Sequence, residues 1–347
     1  MCCAPDEGRH MHRTTIAITS APALVVIAFT ALADGKKGQE AHDKEAPGSH
    51  PAVLWREPSD IASRNLFYGP GGQSHVPQGT FTFKEEDMAG TSPKFDVTDQ
   101  DGVTWRVKMG PEARPETVAS RLVWAVGYFA NEDYFVPMLH VEGMQNLSRG
   151  QNLVLANGNV ANVRLKRHLK DEKKIGSWSW SKNPFRDTRE WNGLRVLMAV
   201  INNWDLKDIN NSVYLTRNDP IEERYFVSDL GDSFGPTGLN LAQKGKPAVY
   251  CSSKLIHKTS AEFVDFNIPS GPPAFYFLNV PEMALRFSLV WLGKHIPRKD
   301  ARWMGDLLAR LSEKQIQDAF RAAGYSPQEV DELSKTVEGR IGELEKL

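Results

Sequence analysis

Read for its apolar positions, the chain changes period partway along. Between Thr80 and Lys108 apolar and polar residues alternate: Thr80-Phe-Thr-Phe-Lys, Lys94-Phe-Asp-Val-Thr and Val103-Thr-Trp-Arg-Val-Lys each keep the period of two that marks a half-buried strand. Asp99-Gln-Asp-Gly102 supplies a hairpin turn between the last two. Pro115, suited to a first helical turn, then opens a helix with apolar groups at 118, 119, 122, 123 and 126 on one face, ending at Gly127. Further strands are predicted over 133–141, 151–155 and 161–165, completing an antiparallel sheet packed on that single helix. Trp178 and Trp180 alternate within one extended stretch, as core or rim residues do.

Beyond them the period lengthens. A helix is predicted over 187–203, with Trp191, Leu194, Leu197, Met198 and Ile201 as its apolar stripe. Strands over 212–215 and 224–228 follow, joined by the turn Arg217-Asn-Asp-Pro220. Loops carrying Lys244, Lys246, Lys254 and Lys258 are expected as far as Gly271-Pro272-Pro273. The remainder reads as helices over 284–295 and 302–311, then two with capping boxes, Ser312-Glu-Lys-Gln315 and Ser326-Pro-Gln-Glu329. Strands gathered early and helices gathered late make the expected class α+β.

Composition narrows the partners. The 347 residues are 41% apolar, enough for a sizeable core, and the formal net charge of -1 offers no general field for nucleic acid or an acidic membrane. The basic stretch 164–174 lacks interleaved aromatics and is expected as a solvated loop. At the start, Arg13, an apolar run over 16–32 and the exit Ala31-Leu32-Ala33 read as a secretory signal peptide over 1–33, with Met11 as an alternative start and an uncleaved membrane anchor as the competing reading. Removing that segment leaves Cys251 alone, so no internal disulfide is expected. Residues 34–60, rich in Lys, Glu, Gly, His and Pro, are expected as a tether before a fold beginning near Ile61.

The candidate chemistry lies in 202–235. Asp205 is followed at a spacing of five by Asn210, and a second carboxylate, Asp229, closes a short apolar strand. Phosphoryl transfer needs an acid beside the attacking hydroxyl, and an amide with another acid for the magnesium that bridges the nucleotide phosphates. Upstream, Gly90-Thr-Ser-Pro-Lys94 sets backbone amides, hydroxyls and a lysine in one hairpin loop, as an anion site requires. Lys108 ends a strand, and Glu116 stands in the first turn of the following helix, where it either pairs with Lys108 or simply favours the helix dipole. The nine His and three Cys show no paired zinc spacing, and oxygen ligands with phosphate suit magnesium.

These pieces together resemble the kinase-like superfamily, and in particular its atypical branch: HipA-type kinases, phosphatidylinositol-kinase-like proteins and secretory-pathway kinases. The resemblance runs over 81–235 and rests on Gly90, Thr91, Ser92 and Lys94, on Lys108, on Glu116 with its helix, on Asn203-Trp-Asp205-Leu-Lys-Asp-Ile-Asn210, and on Asp229-Leu-Gly231. It implies a two-lobed fold, with an antiparallel-sheet first lobe bearing one helix over 61–175 and a mostly helical second lobe over 176–347. Asp205 would be catalytic, Asn210 and Asp229 would bind the metal, and Gly90, Thr91, Ser92, Lys94, Lys108 and Glu116 would hold ATP. The acceptor would be a hydroxyl on a protein or small molecule, in an exported protein of bacterial type. In place of the usual His-Arg before the catalytic acid stands Asn203-Trp204. Two other readings compete: a non-catalytic kinase-like binding module, and a serine hydrolase using Gly231-Asp-Ser-Phe-Gly235, with Ser233 as nucleophile and Asp265 and His295 completing the triad.

Overall fold

Strand β2 (Phe81–Glu86), β3 (Lys94–Asp99), β4 (Thr104–Lys108), β5 (Asp133–Glu142) and β6 (Asn159–Arg167) close into a barrel in the order β2-β3-β4-β6-β5. The computed structural model describes residues 47–235, 247–268 and 280–347, apart from the side chains of Glu282 and Met283, all within one compact unit that starts at Lys44. The signal-peptide segment, Lys244 and Lys246, and residues 271–273 lie outside the described residues.

The barrel differs from the antiparallel sheet expected, because β2 and β5 pair in parallel, Phe81 with Val141 and Thr82 with Glu142. Closure leaves no sheet edge exposed. The alternating residues Phe81, Phe95, Val97, Trp105 and Val107 point inward with Tyr134, Leu139, Val163 and Leu165, forming an apolar cluster of their own. Residues 151–155, expected as strand, instead contain the short 3-10 turn Gln151–Leu153. The basic stretch 164–174 is not a solvated loop: Arg164, Lys166 and Arg167 belong to β6 and Lys173 and Lys174 to β7 (Glu172–Gly176), with Arg164 buried. A charge run read one residue at a time looks solvated, but alternation puts Val163 and Leu165 inside the barrel and Arg164 on its outer face, where the Glu116 carboxylate covers it.

Helix α1 (Ala113–Ala125) follows β4 with Glu112 at its N-cap position and Pro115 in its first turn. It packs on β5 and β6 and on α6 (Glu313–Ala322). A second sheet, in the order β1-β9-β8-β7, combines β1 (Ala52–Val53), β7, β8 (Asn211–Thr216) and β9 (Glu223–Val227). The chain is therefore packed before Ile61: Leu54 is buried, and the carboxylate of Glu223 accepts the N–H groups of Gly48, Ser49 and His50 at 2.8–3.0 Å. The expected tether thus reaches into the fold from residue 47 on.

Helix α2 (Arg189–Val200), capped by the Thr188 side chain, is buried nearly throughout and carries the predicted stripe. After α3 (Pro247–Tyr250), the stretch expected as loop forms a small sheet of β10 (Ile256–Thr259), β11 (Phe263–Phe266) and β12 (Ile296–Pro297). Helices α4 (Val280–Ser288), α5 (Arg298–Leu308), α6 and α7 (Pro327–Glu345) complete the chain. Both predicted capping boxes form, at Ser312 with Gln315 and at Ser326 with Glu329. A larger core joins α1, α2 and α5–α7 through Trp178, Trp180, Trp191, Phe234 and Phe320.

Candidate active site

The phosphate-loop candidate is the β2–β3 connection. It is closed by Asp87 N–H donating to the Lys94 carbonyl, and Gly90 takes the left-handed φ of 67° that a side chain would resist. In the β3–β4 register Lys94 lies directly opposite Lys108, so both ammonium groups project from one face. Two like charges opposed across a ladder are unfavourable without anions beside them, and here the anions are carboxylates. Lys94 lies 4.0 Å from Asp87, and chiefly its burial holds its pKa below the usual lysine range against the pull of Asp87. Thr91 is exposed, while Ser92 donates its hydroxyl to Glu112 Oε2 at 3.0 Å.

Lys108 is the hub. Its Nζ lies 2.5 Å from Glu112 Oε2, 3.0 Å from Glu116 Oε2 and 3.0 Å from Asp229 Oδ1, with only 4% of the side chain exposed. Burial opposes its charge, but Asp229, Glu116 and Glu112 together outweigh that and hold it well above the usual range. The alternative expected for Glu116, a role in the helix dipole alone, does not describe it: its other oxygen accepts from Arg164 Nη2 at 2.9 Å, so it lies between two cations. Burial works against the Asp229 carboxylate, yet Lys108 and the Gly231 N–H keep its pKa below the ordinary value. Gly231 is required by proximity, since a Cβ there would stand 2.7 Å from Glu112 Cβ.

Asn210 and Asp229 are brought together by the β8–β9 hairpin. Asn210 precedes β8 and Asp229 follows β9, and the Asn210 carbonyl accepts the N–H of Ser228 at 2.9 Å and of Asp229 at 3.2 Å. The Asn210 side chain donates to the Asp205 carbonyl at 2.8 Å, which turns its amide oxygen away from that contact. The loop holding Asp205 leaves α2 through Asn202, in the left-handed region at φ 56°, a conformation asparagine tolerates. Asn203 Oδ1 accepts the Asp205 N–H at 3.0 Å, and Trp204 N–H reaches Asp232 O at 3.4 Å. Asp205 Oδ1 faces Lys207 Nζ at 3.5 Å and is in direct contact with Arg286 Nη1 from α4.

An unbroken path of contacts therefore runs Ser92, Glu112, Lys108, Asp229, Asn210, Asp205. Gly90, Thr91 and Lys94 border it without joining it. Sequence reasoning missed Glu112, Arg164, Lys207 and Arg286. Glu112 lies four residues after Lys108 and Lys207 two residues after Asp205, both local signals; Arg164 and Arg286 carry no local signal. Among the described residues no group of three His, Cys, Asp or Glu is arranged to hold a metal by itself. One carboxylate and one amide instead suit magnesium, which takes most of its remaining ligands from water and phosphate.

The hydrolase arrangement is not assembled. Ser233 is fully buried and its hydroxyl makes no hydrogen bond among the described residues, whereas His295 is exposed and meets Asp265 through its backbone N–H. The strained residue of that stretch is Phe234, at φ 50° and packed between Tyr250 and Phe320, rather than the serine.

No family model matches the chain, and no curated protein matches it. Among solved structures it is similar to the crystal structure of a Helicobacter pylori proinflammatory kinase, CtkA, at 12% identity and a TM-score of 0.44, covering 78% of this chain and 98% of that one. It is also similar to the crystal structure of the Golgi casein kinase, at 9% identity and a TM-score of 0.30, covering 76% of this chain and 74% of that one. Likenesses of this size leave any assignment to the geometry of the site itself.

Proposed function

We propose that the protein is a magnesium-dependent phosphotransferase of the atypical kinase-like kind, two-lobed, moving the terminal phosphoryl group of ATP to a hydroxyl acceptor. The observation that carries this reading is the single path of contacts from Ser92 through Lys108 and Asp229 to Asn210 and Asp205. Phosphoryl transfer is mostly a matter of positioning and charge stabilisation, and these are the groups it requires.

On this reading the Lys108 ammonium, already ordered by three carboxylates, exchanges part of that company for nucleotide phosphate. The face it shares with Lys94 makes the start of a phosphate track, and the backbone of Gly90, Thr91 and Ser92 covers it. Asp229 and Asn210 would hold the magnesium ion, which neutralises phosphate charge when bound. Asp205 orients the acceptor hydroxyl. As the bond from acceptor oxygen to the terminal phosphorus forms, the bond to the bridging oxygen breaks and ADP leaves. The acceptor proton passes to Asp205. Export by way of residues 1–33 belongs to the same reading, and N-terminal sequencing of protein recovered from the producing cell tests it.

The decisive measurement is the thermal shift with ATP in the presence and absence of magnesium. At a nucleotide concentration about 100 times Kd the linkage is worth about 2.7 kcal/mol, a readily measured shift. Asp229→Asn is expected to abolish the magnesium-dependent shift, whereas Asp205→Asn retains it and leaves only a residual rate of transfer of the terminal phosphate. A wild-type shift without any transfer would favour the non-catalytic binding module; no shift in folded protein would remove the nucleotide altogether.

A further inference from the structure

The helix α4 is built the wrong way round for a surface helix. Val280, Leu285 and Phe287 are exposed, while Arg286 between the last two is buried. An arginine is normally left at the surface unless a specific partner compensates its desolvation. Here the partners are those of the catalytic loop: the guanidinium lies over the Trp204 ring at 4.5 Å, donates to the Trp204 carbonyl at 3.2 Å and pairs with Asp205 Oδ1. It arrives from 82 residues away in sequence, so it is a tertiary contact.

From this we infer that Arg286 is a positioning residue for Asp205, an assignment that rests on the phosphotransferase reading. Asp205 lies in irregular backbone between α2 and the turn Asp208–Asn210, where no helix or strand restrains its side chain. Its backbone is tied at both ends, through Asn203 and Asn210, but those bonds leave the carboxylate free to rotate. Arg286 removes that freedom. Among the described residues the cations that pair with the carboxylate, Arg286 and Lys207, both engage Oδ1, which assigns Oδ2 to the acceptor hydroxyl. A planar guanidinium stacked on an indole fixes direction as well as distance, which a lysine in its place does only in part.

The test uses the full-length protein with ATP and magnesium, following release or transfer of the terminal phosphate. Arg286→Ala is expected to lower kcat by roughly a hundredfold, the scale of a displaced reacting group, with the nucleotide KM and the magnesium-dependent thermal shift unchanged. Arg286→Lys recovers part of the rate. In an Asp205→Asn background, Arg286→Ala costs nothing further, as two residues acting through one group require. A faster Arg286→Ala protein would overturn the assignment and make the contact a brake. Loss of the thermal shift together with the rate, or full additivity with Asp205→Asn, would make it merely structural. A wild-type protein without the magnesium-dependent nucleotide shift fails at the earlier step, and removes the phosphotransferase reading along with this one.

Discussion

Gly231 shows how a single missing Cβ shapes the site. Its sequence neighbourhood, Asp229-Leu-Gly, draws attention to the carboxylate, but the glycine is needed because Glu112 packs against it: an added Cβ would meet Glu112 Cβ at 2.7 Å and Oε2 at 2.8 Å. Glu112 in turn holds Lys108 and Ser92. Gly231→Ala is therefore expected to push Glu112 off Lys108, costing about 1–3 kcal/mol of stability as overpacked sites do. It should also weaken magnesium-dependent nucleotide binding. Urea midpoints and nucleotide titration of the variant measure the two effects separately, and an unchanged midpoint would show that Glu112 has room to yield.

At the scale of elements, the catalytic loop is only as well placed as the end of α2 from which it departs. That end is held by Arg340 of α7, buried, whose guanidinium donates to the carbonyls of Ala199 at 3.0 Å and Val200 at 2.8 Å and to Ser253 Oγ at 2.6 Å. The last carbonyls of a helix have no partners of their own, and a cation there also meets the negative end of the helix dipole. Tyr250 adds its hydroxyl to the Val200 carbonyl at 2.6 Å and lies beneath the guanidinium at 4.1 Å. Arg340→Leu keeps much of the bulk but leaves those carbonyls short of donors. It should cost about 3 kcal/mol by chemical denaturation, the scale of several lost bonds to a charged group. The capping boxes of α6 and α7 were legible in the sequence because all their partners fall within four residues. The Arg340 contact was not, since an arginine in a helix carries no local mark of the carbonyls it will reach.

For the whole molecule, acid stability has a recognisable contributor at the barrel. His168 follows β6, its N–H bonded to the Thr104 carbonyl. Burial pushes its pKa down to about 4 from 6.5, against the pull of Asp96 and with the help of Lys166 and Arg106. In the unfolded chain the imidazole takes its proton first as the pH falls. The contribution of His168 is therefore intact above pH 6.5, declines as the pH drops toward 4, and changes little below that. His168→Gln is expected to lose less stability between pH 7 and about 4.5 than the wild type does, measured by urea denaturation at both values. An identical loss in both proteins would place the acid sensitivity elsewhere.

What the sequence determined by itself is whatever is encoded within a turn or a strand: the period-two strands of the barrel, the stripe of α2, both capping boxes, and the order of Lys108, Asp205, Asn210 and Asp229 along the chain. What only the tertiary structure decided is where charge goes. Arg164, expected in a solvated loop, is buried against Glu116, and Arg286 and Arg340, which carry no local signal, are likewise buried against groups far away in sequence. Closure of the barrel through the parallel β2–β5 pair was likewise invisible. The physical reason is common to both. Hydrophobic period reports which face of an element leaves water, but not which other element covers it, and an ion pair or a strand pairing is a property of two segments that neither one encodes alone.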